Sequence, residues 1–320
     1  MELIEMGTAD NDHSRTFIGG INLQRTALNL INGVVYAGFG GHCDMFNYTG
    51  WVVGMKASTG DFVSAYATSG GDGSPSQGKP AGCGVWMSGA ILASDRPSRL
   101  MFSTGNGYSS WVNNDQPASG KTYLSTLSEA VVSLAIAADG SLSQSDYFEP
   151  SAYRAMDDAD RDLGSGGVAI LPFSGGGISS IAVVCGKNGQ CFVMNADNLG
   201  GFKMGPGKTD AILQTITPPS GDAIFGTVGS YPLEGGYIYI APMGAPIYVY
   251  ALGRDAGGRP AFTLAGKSAK PTTGRVAISA VRVPACLPSP FHCLLTFCGK
   301  GYSYIVQRTS RLWSSVGSRS

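Results

Sequence analysis

Charge is scarce in this 320-residue chain: 14% of its residues are Asp, Glu, Lys or Arg, and 22 basic side chains cancel 22 acidic ones. With no basic excess, nothing points to a nucleic-acid footprint or to an electrostatic membrane tether. Only three histidines occur, and none of the seven cysteines stands in a CxxC pair, so zinc-ligand spacing is absent. A CxxCH haem attachment is missing for the same reason. No apolar run approaches the roughly 18 residues that a membrane helix needs. Residues 1–15 are polar and acidic, without a basic n-region or an apolar h-region, so no signal peptide is expected. Convincing helical periodicity is also rare.

Glycine, by contrast, is abundant: 47 of 320 residues, about twice the usual ~7%. Such an excess serves tight turns, bulges and close backbone approaches. Between the glycines run short β-branched and aromatic segments. Residues 33–39 lead to 50–55, 100–102 to 130–136, 181–184 to 191–194, and 237–240 to 247–251. A less regular fifth unit joins 294–297 with 302–305. The alternation of Tyr237 with Tyr239 and of Tyr248 with Tyr250 has the period of two expected of strands. Residues 128–138 could be scored as a helix, but a β-branched run before Asp139-Gly140 favours a strand. Units recurring every 55 to 80 residues or so predict an all-β protein of four-stranded blades set radially rather than a sandwich. The Gly/Ser/Pro loop at 70–82 and the Asn/Pro/Gly loop at 109–121 are expected over the channel mouth.

Cysteine leaves two readings open. Cys185 and Cys191 flank a hairpin tip and could bridge, as could Cys43 and Cys83, which sit in Gly-rich stretches of neighbouring units. Alternatively these are buried thiols packing as small hydrophobes. Asn47-Tyr48-Thr49 is a single glycosylation sequon.

Residues 82–111, GCGVWMSGAILASDRPSRLMFSTGNGYSSW, place a tryptophan in a Gly-rich stretch before a strand, an Asp turn and a second strand running into Ser-Thr-Gly-Asn-Gly. That order resembles a blade of the pyrroloquinoline-quinone (PQQ) alcohol dehydrogenase β-propellers, including the polyvinyl-alcohol-dehydrogenase-like group. The resemblance spans roughly residues 23–252. It implies that Trp86 forms the floor under the quinone ring, a role that suits a flat indole. It implies that Asn106 coordinates calcium, which takes hard oxygen ligands. Asp162, in Arg-Asp-Leu-Gly-Ser-Gly-Gly, falls near the aspartate that removes the alcohol proton, with Asp160 as the alternative. Lys187 matches a basic residue on the quinone oxygens. The acidic calcium ligand of the first blade is a glutamate in the family, and the nearest candidates here are His42 and Asp44, so Asp44 is taken as the second metal ligand. Each residue also has an ordinary structural role: Trp86 in a core, Asn106 in an Asn-Gly turn, Asp162 on a turn backbone, Lys187 solvated at a hairpin tip.

Other features depart from the family. Its adjacent Cys-Cys pair is absent, and the blade tail Lys56-Ala-Ser-Thr-Gly-Asp-Phe lacks the tryptophan that docks on the next blade. About five units are readable where the family has eight, which implies a shortened propeller with edges to protect. The expected organisation is a polar extension over 1–22, PQQ-like blades over 23–270, and a divergent last blade with a basic, Ser-rich tail over 271–320. The expected function is a quinoprotein-like oxidoreductase acting on a small alcohol with PQQ and calcium. The alternatives are a non-catalytic propeller used for binding or assembly, or a truncated remnant of such a dehydrogenase. The resemblance favours secretion, against the missing export signal; oligomeric state is left open.

Overall fold

The computed structural model describes residues 7–107, 115–232 and 235–271, together with the backbones of the strands Arg275–Arg282, Phe291–Cys298, Ser303–Thr309 and Leu312–Ser318. Strands dominate, and one short α-helix, Tyr153–Asp158, is the only one among the described residues.

Four sheets follow one another along the chain. The first runs Asn22–Gln24, Val34–Gly41, Trp51–Lys56, Phe62–Ala67, with Asn29–Ile31 also on Val34–Gly41. The second is Arg99–Ser103, Val131–Ile136, Leu142–Glu149, closed at its far edge by Gly201–Phe202. The third is Ala169–Leu171, Ile181–Cys185, Cys191–Asn195, Gln214–Ile216, and the fourth is Gly229–Tyr231, Tyr237–Ile240, Pro246–Arg254, Pro260–Pro271. All pairings within them are antiparallel except that of Gly201–Phe202, which lies parallel on Leu142–Glu149. That short strand arrives after the third sheet has begun, so it ties the second sheet to the third. Among the described residues no sheet closes on itself.

Alternate residues of the central strands serve different cores, and this fixes how the sheets stack. In the second sheet, Leu100, Phe102, Val132 and Leu134 join Tyr36, Val52 and Tyr66 of the first. Their neighbours Met101, Val131 and Phe148 join Val184, Phe192 and Met194 of the third. The third sheet repeats the pattern, turning Ile181, Val183 and Val193 toward Ile238, Ile240 and Tyr250 of the fourth. A period-two strand buried on both faces therefore lies between two sheets, as blades do around an axis. This is why runs such as Val131-Val132 read as continuously apolar. Full burial of each such side chain contributes about 1.5–3 kcal/mol before entropy is counted.

The free face of the first sheet is covered locally. Phe17 packs edge-on against Phe39 (centroids 4.9 Å apart) and Trp51 (5.7 Å). Asn11 mimics a strand partner for Ala67, donating from Nδ2 to its carbonyl and accepting its N–H at Oδ1, both at 3.0 Å. An edge that would otherwise pair with another chain is thereby blocked.

Residues 131–136 form the expected strand rather than a helix. In the last unit Phe291–Cys298 pairs with Arg275–Arg282, and Ser303–Thr309 with Leu312–Ser318; Tyr302, which opens the second of its expected strands, lies outside the described residues. One expectation is corrected. Cys43 and Cys83 are not bridged: Cys43 is exposed, whereas Cys83 is fully buried. Cys185 and Cys191 do form a disulfide, and they face each other in register across their hairpin. The tip of the expected loop at 109–121, residues 108–114, falls outside the described residues.

Candidate functional site

Five connections between strands meet at one place. Trp86 lies between the first and second sheets, Asn106 follows Arg99–Ser103, and Glu129 precedes Val131–Ile136. Asp162 precedes the third sheet, and Lys187 sits on its Ile181–Cys185/Cys191–Asn195 hairpin. Backbone hydrogen bonds stitch these connections together: Cys83 N–H to Asn106 O (2.5 Å), Gly105 N–H to Gly84 O (3.1 Å), Glu129 N–H to Gly105 O (3.1 Å) and Lys187 N–H to Asp162 O (3.0 Å).

Glycine makes the floor. A Cβ on Gly105 would stand 2.6 Å from Trp86 Cζ3, one on Gly84 2.8 Å from Cζ2, and one on Gly40 would collide with Nε1. The half-buried indole thus rests against backbone that only glycine permits, and its Nε1 donates to Gly41 O at 3.1 Å.

Above that floor the polar side chains form a chain of contacts. Asn106 donates its backbone N–H to Asp162 Oδ1 at 3.2 Å. Its carboxamide nitrogen faces Glu129 Oε1 at 2.9 Å and also Asp162 Oδ1, the orientation that matches donors to acceptors. Glu129 Oε2 accepts the Leu163 N–H at 2.5 Å. Lys187 Nζ pairs with Asp162 Oδ2 and, at 2.9 Å, with Asp160 Oδ1. Alongside, Asp157 accepts from Gly107 N–H at 3.2 Å and from the Ser128 hydroxyl at 2.8 Å.

Burial sets the proton affinities. It raises Asp162 above the ordinary carboxylate value, against the opposing ammonium of Lys187. Asp160, more exposed, is lowered by its hydrogen bond to Lys187. Burial lowers Lys187, but the bonds to Asp162 and Asp160 outweigh it and the ammonium is held more firmly. Glu129 is fully buried, and that burial, with the Asp162 charge beside it, pushes its carboxyl well above the usual range. Its backbone is left-handed (φ 46°), a conformation costly for a residue with a Cβ.

Of the residues named from the sequence, Trp86, Asn106, Asp162 and Lys187 therefore occupy one neighbourhood. Asp44 accepts the Tyr48 hydroxyl at 2.5 Å, and the Tyr48 ring lies 5.8 Å from Trp86. Glu129 and Asp157 were missed. A signal existed for Glu129, an acid placed just before a mostly apolar strand, where a charge is costly unless it is held.

Calcium does not fit the residues assigned to it. It takes about six to eight oxygen ligands, yet an ammonium already occupies Asp162. Among the described residues no three His, Cys, Asp or Glu side chains form a group that could hold a metal. A planar anionic quinone fits better, since an indole backed by glycine and a firmly protonated lysine stand within one side chain of each other.

No family model matches the chain, and no curated protein does. Among solved structures, a quinohemoprotein alcohol dehydrogenase from Comamonas testosteroni is similar at 14% identity and TM-score 0.46, over 88% of this chain and 56% of that one. The quinohemoprotein alcohol dehydrogenase ADHIIG of Pseudomonas putida HK5 gives 14%, 0.45, 85% and 44%. The Cps50 (Swd1) β-propeller domain of Myceliophteria thermophila gives 11%, 0.40, 93% and 88%. This chain's own successive antiparallel sheets, stacked face to face, make the fold of the β-propeller type. The chain spans about half the length of the two dehydrogenases. Likeness at this level carries no residue role from those proteins to this propeller.

Proposed function

We propose that the Trp86–Asp162–Lys187 site binds a planar quinone such as PQQ and that the chain oxidises an alcohol there. The observation that carries this reading is the convergence of one indole, one amide, an ammonium and two buried carboxyls from separate connections. Trp86 would support the ring from below, and Lys187 would meet its oxygens. Asp162 would hold the substrate hydroxyl and take its proton, and its raised proton affinity makes it a stronger base than an ordinary carboxylate. A bound quinone supplies the hydride acceptor. Asn106 and Glu129 would keep the Asp162 carboxylate aimed. No step is assigned to calcium.

Titrating the purified chain with PQQ tests the reading. A ligand that prefers the native state stabilises it by about 2.7 kcal/mol at a hundredfold excess over Kd, so melting should shift upward as quinone absorbance changes. Failure of both signals rejects binding. Dye-linked alcohol oxidation that persists in Asp162→Asn rejects that residue as the base.

A second reading rests on the ion pair itself. Asp162 is already neutralised by Lys187, which favours a propeller that binds a ligand without turning it over. Quinone binding with no alcohol oxidation, even with an added electron acceptor, would select it.

A further inference from the structure

Asn106 follows Arg99–Ser103, whereas the turn at 137–140 follows the antiparallel Val131–Ile136, so the two lie at opposite ends of the second sheet. At the end away from Asn106, turns of neighbouring sheets meet, and two of the three junctions are filled by an arginine. Between the second and third sheets Arg99 is buried. It donates from Nη1 to Ala196 O at 2.7 Å and Asp197 Oδ1 at 2.8 Å, and from Nε to Asp95 Oδ1 at 2.9 Å. Between the third and fourth sheets Arg254 donates from Nη1 to Gly258 O at 2.9 Å. Its Nη2 approaches Gly175, in the turn before Ile181–Cys185, so closely that a Cβ there would stand 2.5 Å away.

The first junction is built differently. Val34 opens its strand and faces the second sheet, as Arg99 opens its own and faces the third, so an aliphatic side chain replaces the guanidinium. Tyr36 spans the junction by donating to Gly140 O at 3.1 Å. Beside it, among the turns at 32–33, 57–61 and 137–140, a cavity of about 650 Å³ opens, and no arginine lines it. That volume lies within the roughly 300–1,000 Å³ of small-molecule sites.

The groups a ligand would meet there are open to solvent. Asp61, Asp139, Ala57, Ala137 and Ala138 are exposed, and Phe62 is 38% exposed. Asp61 accepts the Thr59 hydroxyl at 2.6 Å, and Asp139 accepts the Ser141 N–H at 3.0 Å and hydroxyl at 2.7 Å. Those bonds from Ser141 hold Asp139 below the ordinary carboxylate value, so it is charged at neutral pH. A carboxylate has about four acceptor positions, so both acids keep capacity to spare. Among the described residues neither forms an ion pair, and Lys56, the cation in the wall, forms none with them.

We propose that this cavity binds a guanidinium carried on a short aliphatic stem, in the place that Arg99 and Arg254 take at the other two junctions. A planar guanidinium can meet a carboxylate with two parallel N–H donors, and its face suits the Phe62 ring. The stem would lie along the alanine methyls. Two carboxylates against one ammonium leave the wall negative, which disfavours an anion. The inference does not rest on the quinone reading.

The test titrates the intact chain with butylguanidinium and with acetyl-arginine-amide, using neutral butylurea and anionic butyrate as comparators, by calorimetry and NMR shift mapping. Butylguanidinium is expected to bind saturably, with shifts at Asp61 and Asp139, and to weaken at about 0.5 M salt, where exposed charges are screened. Equal binding of acetyl-arginine-amide would assign the site to an arginine of a partner chain, and binding of butylguanidinium alone to a free ligand. Asp61→Asn and Asp139→Asn, exposed changes that keep the turn acceptors, are each expected to weaken binding several-fold. Asp162→Asn is expected to leave it unchanged. The proposal is overturned if butylguanidinium does not bind, if butylurea or butyrate binds as tightly, or if both Asp61→Asn and Asp139→Asn retain full affinity.

Discussion

Replacing Glu129 with Gln probes the centre of the site, because the two side chains share a shape and differ in protonation. Glu129 is fully buried, its Oε2 accepts the Leu163 N–H, and its Oε1 lies 2.9 Å from the Asn106 carboxamide. Its ordinary value of 4.5 is raised well upward in the fold, first by burial and then by Asp162. A carboxyl raised in this way binds more protons folded than unfolded. Its contribution to stability is complete below about pH 4.5 and is lost as pH climbs through the folded value. Within that interval the loss approaches ~1.4 kcal/mol per pH unit for one proton. Gln cannot ionise, so this loss should vanish from Glu129→Gln. The variant carries instead a constant penalty of about 1–3 kcal/mol, since its buried amide brings a second N–H where the neutral acid has a single O–H. Urea unfolding of both proteins between about pH 4 and pH 8 measures the difference. The wild type should be the more stable at the acid end, and the gap should narrow as pH rises. Asp162 also titrates high, but it is present in both proteins and largely cancels. Parallel stability curves across the range would refute the claim that Glu129 is held as a neutral acid.

Gly105→Ala forces a Cβ to 2.6 Å from Trp86 and 3.1 Å from Asp162 Oδ1; overpacking of this kind costs about 1–3 kcal/mol and should change tryptophan fluorescence, and an unchanged emission would disprove the glycine floor. Phe102→Ala empties the core shared by the first two sheets and should lower stability by about 3–5 kcal/mol in denaturant melts. Cys185→Ser opens the short loop that carries Lys187 and should cost ~2 kcal/mol by loop entropy, together with weaker Lys187–Asp162 pairing seen as an acid-side shift in stability. Lys187→Met strips the buried Asp162 of its counter-charge; a loss of about 3–5 kcal/mol at neutral pH that shrinks in acid is expected, because a protonated Asp162 no longer needs the ammonium.

Much of the fold could be read from residue order. The runs at 131–136, 181–185, 191–195 and 237–240 are β-branched or aromatic, bounded by Gly and Asp turns, and each is a strand. The hairpin holding Cys185 and Cys191 opposite each other was visible in their spacing around a five-residue tip. Long-range pairings were not. Gly201–Phe202 reaches back to Leu142–Glu149 across more than fifty residues, and local pattern carries no information about such a partner. Nor did spacing show that Cys83 points into the interior while Cys43 faces solvent.

The candidate site divides along the same line. Composition and local order by themselves determined an all-β chain of repeated strand units, whereas Trp86, Asn106, Asp162 and Lys187 stood out only through the resemblance to quinoprotein blades. Periodicity and turn chemistry are local, so a single sequence suffices for them. Only the tertiary structure decided that these four residues meet and that Glu129 stands among them as a buried acid. Proton affinity and collisions with glycine depend on distance through space, which the stacking of successive sheets sets.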